Sequence, residues 1–155
     1  MANAALDALI VAGITHRVVH HEHVTSLAEA ATQAGVDTTD VIKTIVVRRA
    51  DDDFVFVLVP GDRAISWPKL RAVLGVSRLS MPDAATAKNA TGYERGTITP
   101  FGATIAWPVV ADERIAGRTI RLGAGAQDTA VVLDADDALR VLDAAVADVT
   151  DPAPG

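Results

Sequence analysis

Six consecutive apolar residues, Phe54 to Val59, form the least ambiguous stretch of the chain. The run is too short for a helix and leaves no polar position to face water, so it predicts a strand covered on both faces. Val41 to Val47 is similarly β-branched but is interrupted by Lys43 and Thr44, and Asp51-Asp52-Asp53 lies between the two runs. That order predicts a hairpin. Elsewhere the spacing is helical. Asn3 caps a predicted helix with Leu6, Leu9 and Ile10 on one face and Gly13 as its stop, and Thr15 to His20 follows as a short strand. Ser26 with Glu29 three residues on forms a capping box for a helix to about Ala34, ended by Gly35. Ser66 and Pro68 open a third helix that stops at Gly75, and Asp83 caps a fourth to about Asn89. Ser77–Leu79, Ile105–Val110, Thr119–Leu122 and Thr129–Leu133 read as strands, with Gly123-Ala124-Gly125 as a tight turn. Asp134 starts a last helix whose apolar positions run to Val146. Strands and helices are intermixed, which predicts an α+β (mixed α/β) domain over residues 1–150, with 151–155 as a loose tail.

Composition narrows the function. The 155 residues include no cysteine, which removes a disulfide framework, a thiolate zinc site and a catalytic thiol together. No apolar run approaches the ~18 residues that span a bilayer, and residues 1–10 lack a signal peptide's basic start. A cytoplasmic protein without membrane contact is expected, and a monomer, because the apolar faces can be satisfied internally. The net charge of −6 argues against binding nucleic acid over the whole surface, but it is unevenly spread: −4 over residues 1–42, +3 over 43–95 and −5 over 96–155. An anionic partner is therefore expected to meet the middle third, where Arg48, Arg49, Arg63, Lys69, Arg71, Arg78, Lys88 and Arg95 supply the charge.

The candidate chemistry concentrates in Thr91-Gly92-Tyr93-Glu94-Arg95-Gly96-Thr97-Ile98-Thr99-Pro100-Phe101-Gly102. Glycines let backbone N–H groups approach a ligand, and successive amides in such a loop can hold an anion or a developing oxyanion. The same composition also suits a purely structural loop. Lys43, set in an apolar strand, either snorkels to water or enters a cleft to hold phosphate or polarise a carbonyl. Gly123-x-Gly125 lacks the third glycine and helix of a dinucleotide fingerprint. His21 and His23 share one face if their segment is a strand, but with only His16 and His20 besides them, no metal or other cofactor is expected. There is no G-x-S-x-G elbow and no phosphate loop ending in Gly-Lys-Ser/Thr.

Taken in order, Val41-Ile42-Lys43-Thr44, Thr91-Gly92-Tyr93, Gly96-x-x-x-Pro100-Phe101-Gly102 and Gly123-x-Gly125 resemble the YbaK/EbsC family. These are free-standing editing proteins related to the insertion domain of bacterial prolyl-tRNA synthetase. The likeness runs from about residue 15 to 146, and His23 to Gly35 shares the family's histidine, helix and glycine. It implies a curled, barrel-like mixed sheet flanked by helices. The implied activity is a trans-acting aminoacyl-tRNA deacylase that hydrolyses a wrong ester, Cys-tRNA(Pro) or Ala-tRNA(Pro), with the 3′ end of mischarged tRNA as its ligand and a prolyl-tRNA synthetase as a possible partner. An alternative is a binding module of the same fold without hydrolysis. By the resemblance, Lys43, Gly96, Thr97 and Pro100 carry catalysis. His23, Thr91, Gly92, Tyr93, Ile98, Thr99, Phe101, Gly102, Gly123, Ala124 and Gly125 bind substrate. No protein nucleophile is required, because water or a substrate group can attack an ester that is already activated. The chain departs from many relatives at Thr97 and Ala124, where they carry glycine, and has no acidic residue over Ala130–Val132; these departures are expected beside the amino-acid pocket.

Overall fold

A computed structural model describes residues 3–20 and 26–154. The doubly apolar run becomes β3, Asp53–Val59, and its two faces go to different cores. Phe54, Phe56 and Leu58 enter the main core, while Val55, Val57 and Val59 enter a second one, as the two-residue period of a strand requires. β3 pairs antiparallel with β2, Lys43–Ala50, through the expected turn. On its other edge it runs parallel to β5, Val109–Asp112, which is in turn parallel to β8, Ala145–Ala147. A second sheet has the order β1 (His16–His20), β7 (Thr129–Asp134), β6 (Thr119–Ala126), all antiparallel. The two sheets meet where Val41 bridges Arg121 and the Ile42 amide donates to the Arg121 carbonyl at 2.9 Å. Among the described residues the sheets do not close, so the expected barrel-like curl is an open mixed arrangement.

The caps behave as expected. Asn3, Ser26, Ser66 and Asp83 each accept a first-turn amide, starting α1 (Ala4–Ala12), α2 (Leu27–Ala34), α3 (Trp67–Leu74) and α4 (Ala84–Thr91). α1 and α5 (Ala135–Val141, capped by Asp134) pack on the main core, and Leu70 of α3 on the second. No helix among the described residues is long and apolar enough to cross a membrane.

Several expectations shift. Ser77–Leu79 is not a strand: the segment is fixed by a single bridge between Ser80 and Arg48. The strand expected from Ile105 begins only at Val109, because Pro108 cannot donate to a ladder. The last helix ends at Val141, followed by Asp143 at φ 51°, and Val146 belongs to β8 instead. Gly123-Ala124-Gly125 is not the turn. It is a bulged part of β6, and Gln127-Asp128 make the reversal. The tail is not loose at its start: β9 (Thr150–Pro152) pairs with β4 (Arg63–Ile65), two short strands too weakly patterned to stand out in the sequence.

β9 is anchored by a buried carboxylate. Asp112 is fully buried and accepts from the Val149 amide (3.2 Å), the Thr150 hydroxyl (2.8 Å) and the Arg114 guanidinium (3.2 Å). Burial pushes its pKa up, but the bonds from the Arg114 amide, Thr150, Val149 and the Arg114 side chain together hold it below the usual carboxylate value. Asp112→Ala is expected to cost about 3 kcal/mol by leaving those donors unpaired. Because the folded-state pKa is depressed, this contribution is complete above the unfolded value near ~4 and is lost as pH falls through the lower folded value. Urea unfolding of wild type and Asp112→Asn should therefore differ at pH 7, and the difference should shrink as pH falls below the unfolded value near ~4; a gap that stays constant with pH would contradict the assignment.

Candidate active site

Where the two sheets meet, a cleft of about 680 Å³ opens between the start of β2 and the segment leading into α4. Lys43, Thr44 and Val46 line one side, Met81, Asp83 and Ala87 another, and Arg95, Gly96 and Ile98 of the Gly/Pro loop a third; Arg121 and Gly123 of β6 complete it. Lys43 therefore takes the cleft alternative. Although the residue is exposed, nearby protein strips water from its ammonium and lowers the pKa below the ordinary lysine value, with Asp62 opposing this. Its Nζ donates to the Arg63 carbonyl at 2.5 Å. That carbonyl is fixed in turn, because the Arg63 Nε donates to the Thr150 hydroxyl (2.7 Å), which bonds Asp112. A chain of contacts thus runs from the buried carboxylate to the lysine.

Arg121 is the second cation of the cleft, and burial lowers its pKa from the ordinary guanidinium value. It keeps its charge at neutral pH, since a guanidinium does not deprotonate in proteins. The Thr44 hydroxyl is buried with no hydrogen-bond partner among the described residues, which leaves it able to donate to and accept from a ligand. Asp83 also lines the cleft, but its carboxylate is committed to the Thr86 amide at 2.8 Å, which holds its pKa down.

The loop divides into residues that face the cleft and residues that hold it in place. Gly96, at φ 90°, and Ile98 line the cleft, and among the described residues their amides have no protein acceptor. Beneath them Thr97 is buried: its hydroxyl donates to the Glu94 carbonyl (2.8 Å) and its own carbonyl accepts the Gly125 amide (3.0 Å). The Gly125 amide is therefore not available to a ligand. Thr91 is also buried, its hydroxyl donating to Ala87 and accepting from the Tyr93 amide. Thr99 accepts the Phe101 amide, Pro100 and Phe101 are buried, and Gly92 caps α4. Gly102 sits outside the cleft against the backbone of Ala4, and the Ala124 carbonyl accepts from Asn3. So of the expected site residues, Lys43, Gly96, Ile98 and Gly123 come together, while Thr91, Gly92, Tyr93, Thr97, Thr99, Pro100, Phe101, Gly102, Ala124 and Gly125 frame them. The departures at Thr97 and Ala124 lie in the interior and do not line the cleft. His21 and His23 lie outside the described residues. No group of three metal-ligating side chains occurs among the described ones.

Arg121, Thr44 and Met81 are missing from the sequence-based site. Arg121 left a usable signal, as the charged member between Ile120 and Leu122 in a strand whose other face is core.

This is an α/β domain with a cleft built from a lysine strand and a Gly/Pro loop. The model of the aminoacyl-tRNA editing domain matches residues 21–141, and the chain belongs to that family. It is 34% identical over 97 residues to the proline–tRNA ligase of Caldicellulosiruptor bescii, and 35% identical over 105 residues to that of Citrifermentans bemidjiense. These stretches are 63% and 67% of this chain but only 16% and 18% of the ligases, so the chain matches about a sixth of those proteins' length. Among solved structures it is similar to a candidate trans-editing enzyme for prolyl tRNA synthetase (TM-score 0.87, 22% identity, 97% of this chain and 99% of that one). It is also similar to the hypothetical protein APE2540 (TM-score 0.85, 23% identity, 94% and 98%). These two likenesses bear on the fold.

The loop's main brace is Tyr93. Its hydroxyl donates to the Phe101 carbonyl at 2.6 Å, and its ring lies where a Cβ on Gly125 would come within 2.7 Å. Burial pushes the Tyr93 pKa up to about 12. It is the only tyrosine, so ultraviolet titration reads it alone: tyrosinate is expected near pH 12, and titration near pH 10 in folded protein would show the brace open. Gly125→Ala combines that clash with a positive φ of 81° and is expected to destabilise by about 2–3 kcal/mol in thermal or urea unfolding.

Proposed function

We propose that the protein is a trans-acting aminoacyl-tRNA deacylase that hydrolyses the ester of a mischarged tRNA, with the acceptor end of the tRNA in the Lys43 cleft. The observation that carries this reading is the juxtaposition of two cations, Lys43 and Arg121, with the amides of Gly96 and Ile98, which have no protein acceptor among the described residues, across one cleft of an editing-domain fold. Lys43 and Arg121 hold the terminal phosphate and ribose side, and the Gly96–Ile98 amides take the developing oxyanion. Water adds to the ester carbon and gives a proton to the departing ribose oxygen; where the amino acid's own side chain attacks instead, the cyclic product it forms is opened by water afterwards. The bond to the ribose oxygen then breaks, releasing the amino acid and regenerating the hydroxyl of the 3′-terminal ribose. Such an ester needs positioning and charge stabilisation more than a protein nucleophile. Val46, Ala87 and Ile98 give the cleft an apolar wall, which suits a small uncharged side chain such as that of alanine or cysteine on tRNA(Pro). A prolyl-tRNA synthetase is the source of such errors. The protein is taken to act as a monomer.

One observation favours the binding-only alternative: the Lys43 ammonium is already engaged by the Arg63 carbonyl. In the deacylase reading the lysine exchanges that acceptor for substrate. The test is deacylation of Cys-, Ala- and Ser-tRNA(Pro) by purified protein, with Lys43→Ala alongside. The expected outcome is loss of one ester, slowed about 100-fold or more by the substitution. Tight binding without turnover of any of them would favour the alternative, and wild-type rates in Lys43→Ala would remove Lys43 from the site.

A further inference from the structure

Thr150 is fully buried, and its hydroxyl is used twice. It donates to the Asp112 carboxylate at 2.8 Å and accepts from the Arg63 Nε at 2.7 Å. The Thr150 carbonyl is used twice as well, accepting from the Arg63 Nη2 at 3.1 Å and from the Lys69 Nζ at 3.0 Å. Donating to a carboxylate while accepting from a guanidinium needs a hydroxyl, which has one proton and two lone pairs. Valine has nearly the same shape and can do neither.

These contacts decide where β4 lies. β4 is three residues long, and β9 is its strand partner, with Arg63 opposite Pro152 and Ile65 opposite Thr150. So short a pair does not hold itself together in water. It is fastened at both ends: the Ser66 amide donates to the Val149 carbonyl at 2.8 Å, and the Ala153 amide to the Asp62 carbonyl at 3.1 Å. Asp62 and Arg63 are the β4-side residues that act on Lys43, the first through its charge and the second through the carbonyl that accepts from the ammonium. An exposed lysine loses up to about 2 kcal/mol of rotamer freedom when it is held, so its acceptor must itself be fixed. β9 lies outside residues 21–141, the span that the editing-domain family matches.

We propose that Thr150 is a positioning residue for the deacylation: through Arg63 it fixes the carbonyl that keeps the Lys43 ammonium at the mouth of the cleft. The inference rests on the deacylase reading and adds to it a residue from the far end of the chain. Thr150 touches neither substrate nor reacting atoms. It sets the point from which the lysine passes from carbonyl to substrate, so that the exchange takes place without a search among rotamers.

Thr150→Val is expected to lower kcat/KM for the mischarged tRNA about 10-fold, and Thr150→Ser, which keeps the hydroxyl, to restore most of it. Arg63→Met cuts the same link at a half-exposed residue and leaves Asp112 its donors; it is expected to act like the valine variant and replaces it if that variant does not fold. In a Lys43→Ala background neither substitution should lower the rate further, because the group they position is gone, whereas a general loss of structure would add to the loss. A second readout needs no activity. The lysines are Lys43, Lys69 and Lys88, so nitrogen-labelled lysine gives a simple spectrum. The bond to a fixed carbonyl should slow exchange of the Lys43 ammonium with water enough to give a resolved proton–nitrogen signal, present in wild type and Thr150→Ser and lost in Thr150→Val and Arg63→Met. A wild-type rate or an unchanged Lys43 signal in Arg63→Met, a Lys43 signal missing from wild type, or an equal further loss in the Lys43→Ala background would overturn the proposal. If wild-type protein hydrolyses none of the esters, the deacylase reading fails and the ammonium signal alone decides: its loss in Arg63→Met upholds the positioning, and its persistence overturns it.

Discussion

Asp112 is a buried carboxylate, and a buried charge must collect donors or be expelled. It collects them from β9 and the residue preceding it, and that choice positions much of what lies between core and cleft. Thr150, once held by Asp112, accepts from Arg63; Arg63, once held, presents the carbonyl that the Lys43 ammonium meets. A cation on an exposed strand would otherwise sample many rotamers. Here its resting position is set by a series of short contacts that begins in the main-chain core, so the lysine stands ready at the mouth of the cleft without being buried.

The loop opposite meets the same requirement differently. Residues 92–102 have no regular ladder, so side chains must satisfy their backbone groups. The Thr91, Thr97 and Thr99 hydroxyls and the Tyr93 phenol do this from below. On the cleft side, the amides of Gly96 and Ile98 have no protein acceptor among the described residues. The loop is thus held from below while it presents those two amides to the cleft, which suits it to hold an anion without rearranging.

Much of this was legible in the sequence because the informative features are local. Four caps, three glycine stops and the unbroken apolar run of β3 each depend on neighbours in the chain, and the structure keeps all of them. Lys43 stood out as a charge in an apolar strand, and Gly96 and Gly123 by their spacing to Pro100 and Gly125. What was hidden depends on distant partners. Thr97 looked like part of the reacting surface, and only the carbonyl it offers to Gly125 shows it facing inward. Arg121 looked like an ordinary strand charge until the bridge to Val41 brought it beside Lys43. The short strands β4 and β9 have no pattern of their own and exist because they find one another across 87 residues.

That pairing has a consequence for how the protein is made. A ribosome delivers the chain from its N-terminus at about 5–20 residues per second, and early segments can fold before later ones appear. The hairpin of β2 and β3 is complete early, yet the carbonyl that receives Lys43 is steadied only when Thr150 has been synthesised and has reached Asp112. A nascent chain therefore carries its lysine strand without a finished cleft until the segment holding Thr150 has been made, about 100 residues after that strand.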